Sequence, residues 1–117
     1  MAGFANNDVA LLYDQVGNML LKLKNYNDSK VAFEKALTIR QHIHGDSHLD
    51  IAKSKELIAS VQEEWGNLSE AIVLYEEALS LRYTHHGSRT STDIADILVK
   101  LAQLGKSVIY IILRCKV

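Results

Sequence analysis

The sequence predicts an all-α solenoid built from antiparallel helix pairs, and three observations lead there. Its 117 residues contain no proline and only six glycines, so little along the chain interrupts a helix. Sliding the chain over itself by 42 residues lays Tyr26 to Gly45 over Leu68 to Gly87 without a gap. Within each copy, apolar residues recur every three to four positions, the spacing of a helix with one buried face.

The repeat is specific at the level of residues. Val31 and Val73, Glu34 and Glu76, Ala36 and Ala78, Leu37 and Leu79, Arg40 and Arg82, His44 and His86, and Gly45 and Gly87 are identical pairs. Upstream the same offset pairs Asp8-Val9-Ala10 with Asp50-Ile51-Ala52, and Asn25 with Asn67. A third start, Asp93-Ile94-Ala95, comes one residue late because the loop before it is longer. The units run over 8–49, 50–92 and a partial or atypical 93–117. Each complete unit reads as two helices that cannot bury their apolar faces alone, so neighbours must stack.

Taken in order, Asp8, Asp50 and Asp93 are expected as N-caps of the first helices. Asn25 with Asp28, and Asn67 with Glu70, place a capping side chain three residues ahead of an acid that favours the positive end of the helix dipole. This accounts for the two Asn-x-Ser sequons at Asn27 and Asn67 as helix starts, not glycosylation sites. Phe33, Ala36, Leu37 and Arg40, like Tyr75, Ala78, Leu79 and Arg82, form the inner stripe of the second helices. Gly45 and Gly87 are expected to end those helices in a left-handed cap. After Asp93 the third unit reaches Gly105 about one helical turn sooner than Asp50 reaches Gly66. The tail VIYIILRCKV is apolar and rich in β-branched residues, and two readings of it stay open: a short terminal helix packed on the second unit, or a strand-like, aggregation-prone end. It offers a surface for self-stacking through the C-terminal unit.

Composition narrows the function classes. A net charge of −1 with interleaved signs offers no basic stripe to nucleic acid or to an anionic membrane. The single cysteine, Cys115, cannot close an internal disulfide and no signal peptide opens the chain, so a reducing, cytoplasmic setting is expected.

The histidines of HIHGDSH, His42, His44 and His48, and His85 and His86 raise the question of a metal. No cysteine or carboxylate recurs with them at a recognisable ligand spacing, so helix-end and linker roles are expected and no metal is assigned. Gly105-Lys106-Ser107 imitates the end of a phosphate-binding loop, but Lys100 stands where that loop needs a glycine, and a helix precedes it where a strand should. Cys115 has no patterned base. No catalytic residue and no cofactor are assigned, and Trp65 reads as a packing residue.

EWGNLSEAIVLYEEALSL, with Gly66, Leu68, Ala71, Tyr75 and Ala78, resembles the tetratricopeptide repeat. Gly17, Tyr26, Phe33 and Ala36 continue the resemblance in the first unit, where Ser29 replaces an alanine and Lys24 the turn glycine. ALTIRQHIHGDSHLDIA is similar to the linker of the long repeats of kinesin light chains and nephrocystin-like proteins, with His48 at the linker histidine. The second linker has Thr90 in that place.

The resemblance implies a right-handed α-solenoid and a non-catalytic protein-interaction adaptor whose first helices line a concave groove for a peptide or helical segment of a partner. Carried onto matching positions, it marks Leu11, Asp14, Gln15, Asn18 and Lys22 in the first unit. Lys53, Glu56, Leu57, Ser60 and Glu64 follow in the second, and Asp96, Lys100 and Gln103 in the third. Asn18 stands out because an amide can pair with both the N–H and the C=O of a peptide. Two other readings stay open: a metal- or nucleotide-dependent activity at the histidine joints or the GKS tail, and a purely structural solenoid fragment.

Overall fold

The structure, a computed structural model, describes residues 6–86 and 92–105. Five helices follow one another: α1 (Asn7–Lys22), α2 (Tyr26–His44), α3 (Leu49–Trp65), α4 (Leu68–His86) and α5 (Thr92–Gln103). They pack as antiparallel pairs, α1 with α2 and α3 with α4. The second hairpin lies on the first through α3 against α2, and α5 closes on α4. Gly87, the loop holding Thr90, Lys106-Ser107, Cys115 and the apolar tail lie outside the described residues.

The helix starts correct the expected caps. The cap of α1 is Asn6, whose side chain accepts the Val9 N–H at 2.9 Å. That of α3 is His48, whose Nδ1 accepts the Asp50 N–H at 3.0 Å. Asp8 and Asp50 therefore fall inside their first turns, where a negative charge favours the helix dipole without capping it. Asp93 likewise falls inside α5, which starts at Thr92. At α2 the expected arrangement is present: Asn25 accepts the Asp28 N–H and donates to the Asp28 carboxylate at 2.9 Å. Asn67 precedes α4 but turns its amide back to Gln62 Oε1 at 2.7 Å, tying the turn to α3.

Both turns inside the hairpins use one closure. After α1, the Asn25 N–H reaches Leu20 O and the Lys24 N–H reaches Leu21 O; after α3, the Asn67 N–H reaches Gln62 O and the Gly66 N–H reaches Glu63 O. This closure requires a left-handed residue. Gly66 adopts it at φ 96°, and Lys24 adopts it at φ 61° despite its Cβ. Gly45 differs from expectation: its φ is 79° but its ψ is −170°, so the chain leaves α2 extended toward the next hairpin instead of in a left-handed cap.

Two apolar clusters hold the stack. Phe33, Ile58 and Val61 meet between the hairpins, joined by the half-buried Leu21, Tyr26, Leu37, Leu57 and Leu74. Ala52, Ala59, Ala71, Tyr75, Ala78, Leu79 and Tyr83 receive Ile94, Ile97 and Leu101 of α5. Gly17 shows why small residues sit in the first helices. A Cβ there would lie 2.7 Å from the Phe33 ring, so α1 and α2 approach only because it is absent. Ser29 is fully buried, and its hydroxyl donates to the Gly17 carbonyl at 2.7 Å, which satisfies the polar group in this packed seam.

Candidate functional site

The exposed face of the first helices carries a stripe of side chains at three-to-four-residue spacing. Leu11, Gln15, Asn18 and Lys22 are exposed on α1, and Lys53 and Glu64 on α3. Asp96, Lys100 and Gln103 are exposed on α5. Leu57 and Ser60 are half-buried, Leu57 leaning into the Phe33 cluster.

Two marked residues are engaged elsewhere. Asp14 is buried, its Oδ2 accepting from Arg40 Nη2 at 2.7 Å, so its carboxylate serves the joint between helices and is closed to a ligand. Glu56 accepts from Arg82 Nε at 2.5 Å but remains only half-buried.

A cleft of about 140 Å³ opens between α3 and α5, lined by Glu56, Ser60, Tyr75, Asp96, Ile97 and Lys100. Tyr75 rises from α4 as its floor. Its hydroxyl donates to Glu63 Oε1 at 3.1 Å and lies 3.3 Å from the Ser60 hydroxyl. Lys100 Nζ stands 3.8 Å from the same Glu63 oxygen. Burial, opposed by the Ser60 hydrogen bond and aided by the Glu63 and Glu56 charges, pushes the Tyr75 hydroxyl up to about 12. Tyr75 is thus a neutral donor at physiological pH. The cleft offers carboxylates, hydroxyls and one ammonium, a set that recognises polar peptide groups by hydrogen bonding.

At the joint between hairpins the fold gathers residues the sequence leaves apart. The His44 and His48 rings stack with centroids 4.0 Å apart and planes 12° from parallel. Asp50 Oδ2 lies 3.1 Å from His44 Nε2 and 3.7 Å from His48 Nδ1. His85 of α4 sets its ring edge-on, 6.2 Å from that of His48, and bonds the Ser47 carbonyl. His42 is exposed. Sequence reasoning missed Asp50 here because an aspartate at a helix start is read as a cap. Trp65 lies against Tyr26, ring centroids 6.0 Å apart.

No helix among the described residues is long and apolar enough to cross a membrane. No curated protein matches the sequence. Among solved structures, BtubC (BKLC) from P. vanneervenii superposes with a TM-score of 0.82 at 17% identity. The match covers 96% of this chain and 47% of that one, so the chain spans less than half the length of BtubC. At that identity the likeness shows the fold. The sequence model of the tetratricopeptide repeat matches residues 8–84. The chain therefore belongs to the tetratricopeptide repeat family, whose members generally serve protein–protein interaction and are typically non-catalytic.

Proposed function

We propose that this chain is a non-catalytic adaptor that holds a peptide or a helical segment of another protein in the groove formed by α1, α3 and α5. The observation that carries the reading is the stripe itself. Gln15, Asn18 and Lys22, then Lys53 and Glu64, then Asp96, Lys100 and Gln103 stay exposed on successive first helices. Buried residues such as Ala10, Ala52 and Ile97 alternate with them. An extended segment lying across these helices would meet the Asn18 amide and the cleft over Tyr75 in turn. The mixed charge favours a partner recognised by hydrogen bonds and paired charges over a uniformly acidic or basic one. Nucleic acid and membrane surfaces fit it poorly.

The test is selection of binding peptides from a displayed random library on the whole chain, followed by Asn18→Ala and Lys100→Glu. Groove binding predicts at least a tenfold loss for both, with no change for Glu70→Ala on the exposed start of α4. Unchanged binding in both groove variants would remove the proposal.

A second reading, a stretch of a longer solenoid, is favoured by the outer face of α1. Leu12, Val16 and Met19 are exposed there, whereas their repeat counterparts Ser54, Ile58 and Val61 are buried against the preceding hairpin. The two readings are compatible, because stacking uses one face of α1 and the groove another.

A further inference from the structure

We propose that the joint between the two hairpins is a site for a divalent transition metal of the zinc class, held by His44, His48 and Asp50. The three side chains come from the end of α2, the cap of α3 and the first turn of α3. They can each present one ligand atom, and these atoms all lie within 4.8 Å of one another. Two imidazoles and a carboxylate form a borderline donor set that suits zinc and its neighbours, not the all-oxygen shells of calcium or magnesium.

Helix capping accounts for only part of this cluster. His48 alone caps α3 through Nδ1. Nothing in that role requires a second ring stacked on it at 4.0 Å, nor a carboxylate drawn to both rings. His44 Nε2 is buried and makes no hydrogen bond, and Asp50 Oδ2 stands 3.1 Å from it. A buried ring nitrogen left in that state is costly, and a cation between it and the carboxylate satisfies both.

Zinc bonds of about 2.0–2.2 Å lie in the plane of each imidazole, so the two stacked rings must turn out of their stack before both can face one cation. The cation also competes with the Asp50 N–H for the His48 lone pair, which makes this a clip that closes on binding. The fourth position is left to water; His85, whose ring centroid is 6.2 Å from that of His48, is already anchored to the Ser47 carbonyl. Its consequence is mechanical: the metal ties the end of one hairpin to the start of the next and holds the angle between them, hence the curvature of the groove. This site is separate from the groove and does not depend on peptide binding.

The experiment is a titration of the chelator-stripped whole chain with zinc chloride, followed by calorimetry and thermal unfolding, with magnesium chloride as control. The expected result is one zinc per chain and a midpoint raised on the order of 10 °C at a hundredfold excess over Kd, with no shift from magnesium. Asp50→Asn and His44→Gln, which leave the His48 cap in place, should each weaken zinc at least tenfold. His42→Gln, on the same turn of α2 but outside the cluster, should not. Cobalt bound to the unaltered chain should give the intense visible absorption of a four-coordinate site. Absence of one-to-one zinc binding, equal loss in His42→Gln, or a weak six-coordinate cobalt spectrum would overturn the proposal.

Discussion

Arg40 reaches from α2 to Asp14 of α1 at 2.7 Å, and 42 residues later Arg82 reaches from α4 to Glu56 of α3 at 2.5 Å. Repeat symmetry thus extends to the ion pair at the heart of each hairpin, but the environments differ. Asp14 and Arg40 are both buried, and Arg40 also donates to Ser54 of α3 at 2.8 Å, so it links the two hairpins. Glu56 is partly open to solvent. Asp14→Ala should therefore cost about 3–5 kcal/mol by stranding a buried guanidinium. Glu56→Ala should cost about 1 kcal/mol, because solvent screens what remains. Urea unfolding of both variants checks the contrast, and equal losses would refute it.

Lys24 holds a left-handed conformation that Gly66 holds in the matching turn. A Cβ in that conformation costs about 1–2 kcal/mol, part of which is recovered from the smaller freedom of a non-glycine residue in the unfolded chain. Lys24→Gly should stabilise the protein by about 0.5–1 kcal/mol, and Gly66→Lys should destabilise it. Denaturation midpoints report both, and a destabilised Lys24→Gly variant would mean the lysine side chain has a further role.

Met19 and Val61 hold the same repeat position, yet Met19 is 64% exposed and Val61 is fully buried. Val61→Ala should cost about 2 kcal/mol through the cavity it opens, whereas Met19→Ala should change stability by less than about 0.5 kcal/mol. Thermal unfolding at several concentrations tests this. A large loss for Met19→Ala would show that the outer face of α1 is covered in solution.

Tyr75 keeps its proton beyond the ordinary tyrosine range, with a pKa of about 12. The folded state holds that proton more tightly than the unfolded chain. Its contribution to stability is therefore fully present below pH 10 and is lost as the pH rises through about 12. Tyrosinate absorbance after rapid pH jumps should show a late phase that Tyr75→Phe removes. If every tyrosine titrated near 10, the floor of the cleft between α3 and α5 would be open to water.

The helices, their pairing into hairpins and the repeat of 42 residues were readable in the chain itself, because helical periodicity and glycine placement are local properties. The Asn25–Asp28 cap was readable for the same reason. What the tertiary structure decided is which face meets which neighbour. Asp14 carries the spacing of a groove residue and is buried because Arg40 arrives from another helix. Met19 and Val61 share one pattern position and differ only in whether a hairpin lies over them. His44, His48 and Asp50 converge because Gly45 leaves α2 extended and His48, not Asp50, caps the next helix. Periodicity names the residues that share a face; contacts between distant segments determine whether that face becomes core, groove or joint.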